Sequence, residues 1–222
     1  GGAYLNQSAS LEDVSLVSIL TALQPRQYFF AGCIPENFRN FAVEKGVSVF
    51  DFMQNDTLAV YNTIATAEGA ICEAILRSSM NLNQSRCAVL GYGKCGATLV
   101  SYLKGMFCRV YTFCNNPGKC ARAAIVSDDT GDIEDFKKGA KDFDFIFNTI
   151  PALVISSDTL EVMKPSVTII DIASAPGGVD YQAAKALGKI AALCPGLPGK
   201  YAPSSSAKAL KKSIENILSQ KK

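Results

Sequence analysis

The run Val89-Leu90-Gly91-Tyr92-Gly93-Lys94-Cys95-Gly96 constrains this chain more than any other stretch. An apolar strand passes directly into Gly-x-Gly-x-x-Gly, and an apolar-periodic helix follows. That context gives the pattern its meaning as a dinucleotide site. Gly91 allows a tight turn, Gly93 lets the backbone approach a pyrophosphate, and Gly96 lets the helix pack close to the strand. The helix aims its first-turn N–H groups and the positive end of its dipole at the phosphates. Three glycines also suit an ordinary strand–helix turn, so the remaining chain has to support the reading.

It does so by alternation. Apolar strands read near 87–91, 108–114, 143–148, 167–172 and 189–194, and helices near 94–106, 118–124, 132–138, 157–163 and 180–187. The strands carry Val, Ile, Phe and Cys on consecutive positions, as expected when both faces are buried. Strand–helix alternation predicts a doubly wound parallel α/β sheet of Rossmann type. Ala97, Val100, Leu103 and Met106 are expected to form the stripe that lies on it. A second, smaller α/β lobe is expected upstream. Tyr28–Cys33 and Val47–Phe52 read as strands around a helix at Glu36–Lys45, and a long helix follows at 57–79. The expected domains are a partial N-terminal lobe with its hinge helix (1–82), a dinucleotide-binding domain (83–203), and a C-terminal helix (204–222) returning to the first lobe. The polar stretch Ser78–Gln84 is the expected hinge.

In an open parallel sheet, ligands bind beyond the carboxyl ends of the strands, where the strand order reverses. The unusual residues of this chain occur at those ends. They are the glycine turn with Tyr92, Lys94 and Cys95, then Cys114, Asn115 and Asn116, then Asn148, Thr149, Ile150 and Pro151, then Asp171 and Ala173, and finally Pro195 and Gly196. Each cluster alone suits a turn; five at one edge read as a binding crevice. NAD-binding folds place an acid about 20 residues past the glycines to hold the ribose 2′-hydroxyl. Here that region offers Cys114–Asn116 without an acid, and Lys119 and Arg122 follow. NADP is therefore the expected cofactor, with NAD as the alternative. Cys95 stands in the glycine turn, where the helix dipole acts to lower its pKa; the other reading is a side chain that only lines the site.

Composition excludes other classes. A net charge of +2 leaves no nucleic-acid or membrane footprint. No apolar stretch is long enough to span a bilayer and no signal peptide opens the chain, so a cytoplasmic protein is expected. Eight cysteines without a zinc spacing are expected to be mostly buried free thiols, and no metal site is expected. Histidine is absent, which removes the His–carboxylate couple of many alcohol dehydrogenases. On the hinge helix at 57–79, Glu68 is a candidate acid–base group, and Asn62 and Thr66 are candidates to reach a small-molecule substrate. A solvated helix charge is the other reading of Glu68.

Several motifs together carry a resemblance. Tyr61-Asn62-Thr63-Ile64, Thr66-Ala67-Glu68-Gly69, Leu90-Gly91-Tyr92-Gly93, Asn148-Thr149-Ile150-Pro151-Ala152, Asp171 through Gly178, and Pro195 through Pro203 occur in order. In this combination the chain, from about Tyr28 to Leu218, resembles the A subunit of bacterial dipicolinate synthase. The resemblance implies a Rossmann-type protein that works with a smaller, flavoprotein-like B subunit in the mother cell of a sporulating bacterium. The pair oxidises dihydrodipicolinate to dipicolinate with a nicotinamide cofactor as hydride acceptor. Aromatisation supplies much of its own driving force, which fits a chain without histidine.

The chain departs from the family pattern at Ala65, where the family has Pro, and at Lys94-Cys95, where it has Arg-Thr. It departs again at Asn115-Asn116-Pro117 in place of Arg-Ser-Ser, and at Ser204–Ala207 in place of Lys-Thr-Ala-Gly. The third change bears on the NADP preference. The family also extends further upstream. Two parallel strands with one crossover leave unpaired edges, so the small lobe is expected to be incomplete and to self-associate or take a partner. Two other readings remain open: a dinucleotide-binding sensor without chemistry, and a different NAD(P)-dependent oxidoreductase acting on an amino or hydroxy acid.

Overall fold

The computed structural model describes residues 15–220, which divide into two compact units. The smaller holds the chain up to Ala59 together with the part from Ala209 onward, and the larger is Val60–Lys208. The stretch Ser78–Gln84, read as a hinge, lies inside the larger unit, and the division falls within a helix instead.

In the smaller unit, α1 (Leu16–Ala22) precedes β1 (Tyr28–Ala31), α2 (Glu36–Glu44) and β2 (Ser48–Asp51). The strands pair in parallel, Tyr28 opposite Ser48 through Ala31 opposite Asp51. Phe38 and Ala42 of α2 and Val47 form a small core against Phe29 and Val49. The other strand face stacks Phe30 on Phe50, with ring centroids 5.1 Å apart. Lys45 Nζ donates to the carbonyls of Leu20, Thr21 and Leu23, which satisfies acceptors that the end of α1 leaves unpaired. Asn55 Nδ2 donates to Ser213 Oγ at 2.9 Å, which ties the C-terminal segment into this unit.

A 22-residue helix, α3 (Asp56–Arg77), leads into the larger unit. There the chain runs β3 (Arg86–Leu90), α4 (Lys94–Gly105), β4 (Arg109–Phe113), α5 (Pro117–Ala123), β5 (Asp129–Gly131) and α6 (Ile133–Gly139). It continues with β6 (Phe145–Asn148), α7 (Ser157–Val162), β7 (Thr168–Asp171), α8 (Tyr181–Ala186), β8 (Ile190–Leu193) and α9 (Leu197–Tyr201), and ends in α10 (Pro203–Ser219), whose residues from Ala209 onward belong to the smaller unit. All six strands are parallel, in the order β5-β4-β3-β6-β7-β8. This is the doubly wound Rossmann order, and it reverses between β3 and β6.

Strand side chains alternate between two cores, one on each face of the sheet. Cys87, Val89, Phe145, Phe147 and Ile170 join α3 and α4 residues in one. Ala88, Leu90, Ile146 and Ile169 join Phe136 and Leu160 in the other. Burial on both faces explains why these strands read as continuous apolar runs. The buried face of α4 is Gly96, Leu99, Val100 and Leu103. Ala97 is only half-buried, because the packed stripe alternates steps of three and four rather than repeating three.

Strand β5 and helices α1 and α9 were not foreseen in the sequence. Asp129-Thr130-Gly131 has no apolar residue and becomes a strand through its pairing with Tyr111–Phe113. Among the eight cysteines, Cys114 and Cys120, with Cα atoms 5.8 Å apart, are joined in a disulfide rather than free. Cys87, Cys108 and Cys194 are buried free thiols, Cys72 and Cys95 are half-buried, and Cys33 is exposed. Among the described residues, no helix is long and apolar enough to cross a membrane.

Among the described residues the sheet of β1 and β2 has only two strands and a core built on three buried residues, so local opening should be easier there than in the six-stranded sheet. Native-state amide exchange on the full chain should show slow exchange for β3, β4, β6 and β7, and faster exchange for β1 and β2. Equal protection in both sheets would contradict this.

Candidate functional site

The carboxyl ends of β3, β4, β6, β7 and β8 lie at one edge of the parallel sheet, so the five clusters singled out in the sequence share that edge. The order reversal places the glycine turn after β3 beside Asn148–Pro151 after β6.

The three glycines have different jobs. Gly91 has φ +92°, and a Cβ there would collide with Thr149 Oγ1. A Cβ on Gly96 would collide with the Gly91 carbonyl. Both positions are closed by the fold itself. Gly93 is exposed, and a Cβ there would meet nothing within 4 Å. It is the N-cap of α4 with φ −87°, and it provides no capping side chain. The turn therefore presents a bare backbone and a helix N-terminus to open space, an arrangement that fits a pyrophosphate. Tyr92 is half-buried against the core beneath it, and Lys94 is exposed.

Burial pushes the Cys95 thiol up, and the neighbouring Lys94 charge opposes this without overcoming it. The expected lowering by the helix dipole is thus corrected: at this half-buried position desolvation of the thiolate wins.

At the end of β4, Cys114 is buried while Asn115 and Asn116 are exposed. Asn116 caps α5, its Oδ1 accepting from Lys119 N at 3.0 Å. Asn115 Oδ1 accepts from Ile133 N at 3.4 Å. Lys119 and Arg122 are exposed close by. The β4–α5 loop, Cys114–Pro117, carries no acid.

The ends of β6 and β7 are built differently. Thr149 donates its hydroxyl and its N–H to Leu90 O, each at 2.9 Å. Asn148 is fully buried; its Nδ2 donates to Ile150 O at 3.0 Å and its Oδ1 accepts from Ile150 N at 3.0 Å. Asp171 is likewise fully buried and accepts from Asn148 Nδ2, Ala173 N, Gly178 N and Tyr181 Oη. The side chains of Asn148 and Asp171 are thus spent within the protein, and any ligand meets the loops they hold. Pro151, Pro195 and Gly196 are exposed, Ile150 is half-buried and Ala173 is buried.

On α3, Glu68 is exposed and accepts from Tyr102 Oη at 3.2 Å. Thr66 Oγ1 donates to Asn62 O at 2.8 Å, an i to i−4 bond of its own helix, and Asn62 is half-buried.

Sequence reasoning missed Glu73. Its side chain is 3% exposed and receives bonds from Lys200 Nζ, Arg77 Nη1 and, at 2.6 Å, Tyr201 Oη. Burial alone would raise this carboxyl, but Lys200, Tyr201 and Arg77 outweigh it and hold it at about 2, against an ordinary 4.5. Bonding to Glu73 in turn pushes the Lys200 and Tyr201 groups up. The cluster pins α9, and with it the turn after β8, onto α3. Gly69 leaves room for it, since a Cβ there would stand 2.8 Å from the Tyr201 ring. The signal in the sequence was a lone carboxylate in the otherwise apolar run Gly69–Ala74.

Two outcomes follow. Gly93→Val should fold, because its Cβ has space and its φ is ordinary, yet weaken dinucleotide binding at least tenfold, about 1.4 kcal/mol. Unchanged affinity by calorimetry would remove the pyrophosphate from this turn. The depressed Glu73 carboxyl contributes stability that is complete above about 4.5 and lost as pH falls toward 2. Urea midpoints measured from neutral to acidic pH should therefore fall less steeply in Glu73→Gln than in the parent; parallel curves would contradict the assignment.

No family model matches the chain. It is 30% identical over 191 residues to the A subunit of dipicolinate synthase of Bacillus subtilis (strain 168), a match covering 86% of this chain. The chain spans 64% of the length of that curated relative. The crystal structure of the dipicolinate synthase A subunit from Bacillus halodurans aligns with a TM-score of 0.85 at 28% identity, covering 97% of this chain and 75% of that one. The crystal structure of its counterpart from Bacillus subtilis aligns with a TM-score of 0.86 at 28% identity, covering 99% of this chain and 74% of that one. The chain closely matches the A subunit of dipicolinate synthase in sequence and in fold, and the resemblance carried by the motifs is borne out.

Proposed function

Taking kinship with the A subunit of dipicolinate synthase as the premise, we propose that this chain binds NAD(P) and oxidises dihydrodipicolinate to dipicolinate. It would do so with a smaller, flavoprotein-like B subunit, in the cytoplasm of a sporulating bacterium. The observation that carries the proposal is the glycine turn at the reversal of strand order, where Gly93 leaves the end of α4 open.

A nicotinamide bound at this edge would supply the acceptor for the hydride that the dihydropyridine ring loses. The chain's own residues bind and orient. Backbone N–H groups of the Gly91–Gly96 turn and the dipole of α4 hold the pyrophosphate. Asn115 and Asn116, beside Cys114, would hold the adenosine ribose, and Lys119 and Arg122 would favour a 2′-phosphate there. The loops based on Asn148, Thr149, Ile150, Pro151, Asp171 and Ala173 border the second half of the dinucleotide, with Pro195 and Gly196 next to them. Asn62 and Thr66 are the substrate-facing candidates on α3.

The balance of the reaction needs one proton to leave with the hydride. Glu68, an exposed carboxylate already accepting from Tyr102, is the proposed acceptor. Aromatisation makes the step favourable, so a weak base suffices and the absence of histidine is no obstacle.

The test mixes this chain with a B subunit, dihydrodipicolinate and either cofactor, and follows formation of reduced cofactor by absorbance. Turnover is expected, with NADP at least as effective as NAD. Asn115→Asp should shift the preference toward NAD by placing a charge beside the 2′-phosphate. Dinucleotide binding without reduction under every partner condition would favour the sensor reading. A tenfold NAD preference in the parent would overturn the account of the β4 end.

A further inference from the structure

Asn148, Asp171 and Tyr181 form one hydrogen-bonded unit beneath two loops. Asp171 Oδ1 accepts from Asn148 Nδ2 and Ala173 N, both at 2.9 Å. Its Oδ2 accepts from Gly178 N at 2.6 Å and from Tyr181 Oη at 2.8 Å. The carboxylate therefore holds both ends of the loop Ala173–Gly178, while the Ser174–Pro176 tip stays exposed. Asn148 brackets Ile150 through its N–H and its carbonyl, which holds the base of the loop that follows β6. The Asn148–Asp171 bond makes the two loops one body. Little slack remains between them: a Cβ on Gly178 would stand 2.5 Å from Asn148 Nδ2 and 2.6 Å from Ala152 O.

Tyr181 is the member that the sequence did not single out. It opens α8, and burial, followed by its bond to Asp171, pushes its hydroxyl well above the ordinary range, so it acts as a donor at any working pH. Replacing the hydroxyl leaves one lone pair of a buried carboxylate without its donor. The loop then loses its fixed position rather than a ligand contact.

We propose that Tyr181 and Asn148 are positioning residues for the nicotinamide half of the bound dinucleotide, acting through Asp171. This rests on the dinucleotide reading above. The glycine turn takes the pyrophosphate and the β4 end takes the adenosine, so the other mononucleotide falls to the second half of the sheet, at the ends of β6 and β7. Those are the two strand ends that this unit ties together.

The experiment compares whole dinucleotide with its adenosine half. The full chain, Tyr181→Phe and Asn148→Ala are titrated calorimetrically with NADP and with adenosine 2′,5′-bisphosphate, and likewise with NAD and with ADP. Both variants are expected to bind the dinucleotide at least fivefold more weakly and the fragment within twofold of the parent. A merely structural role would lower the melting temperature and weaken both ligands alike. Equal loss for both ligands, or no loss for either, overturns the proposal. Tyr181→Phe keeps the ring and its packing, so it decides the matter if Asn148→Ala fails to fold. A parent chain that binds neither ligand overturns the dinucleotide reading itself, and this inference with it.

Discussion

The contact between the first turn of α4 and the end of β3 is the constraint on which the remaining structure depends. Gly96 lies so close to the Gly91 carbonyl that no side chain fits, and Gly91 in turn gives way to Thr149. Strand β3, helix α4 and the loop after β6 therefore meet at one point with no glycine side chain to hold them apart. That proximity lets Leu99, Val100 and Leu103 reach the core and aims the N-terminus of α4 along the sheet edge. The proposed function uses this geometry because a helix end is useful to a phosphate only where backbone, rather than side chains, faces the ligand.

Two buried carboxylates steady the strand ends farther from that point, by different physics. Asp171 is satisfied by four neutral donors, two from the loop that follows it and one each from β6 and α8. Glu73 is satisfied by two cations and a hydroxyl brought from α3 and α9. A buried charge is tolerated only when so completely paired, and removing one partner leaves a large desolvation cost uncompensated. Each carboxylate thus converts loops into a fixed base. The cofactor edge proposed here consists of exposed tips carried on bases that cannot easily shift.

Much of this was legible in the sequence, for definable reasons. Strands β3, β4, β6, β7 and β8 announce themselves because burial on both faces demands continuous apolar runs. Strand β5 does not, since its three residues owe their conformation to the neighbour they pair with. The glycine pattern singled out the candidate site, but that Gly91 is closed while Gly93 faces open space depends on Thr149, over fifty residues away in sequence. The sign of the Cys95 shift was misjudged because helix-end electrostatics is readable from position, whereas burial is not. The Cys114–Cys120 pairing stayed hidden because it depends on how the first turns of α5 fold back on the end of β4. Glu73 and Tyr181 escaped for the same reason: their partners arrive from α9 and β7.

Backbone amide shifts recorded while NADP is titrated into the isotopically labelled full chain test the central claim most directly. The account predicts perturbations concentrated at Gly91–Gly96, at Asn115 and Asn116, and at Asn148–Ile150 and Ala173, with the opposite ends of the same strands unmoved. Perturbations confined to the amino ends of the strands, or none at saturating cofactor, would contradict it.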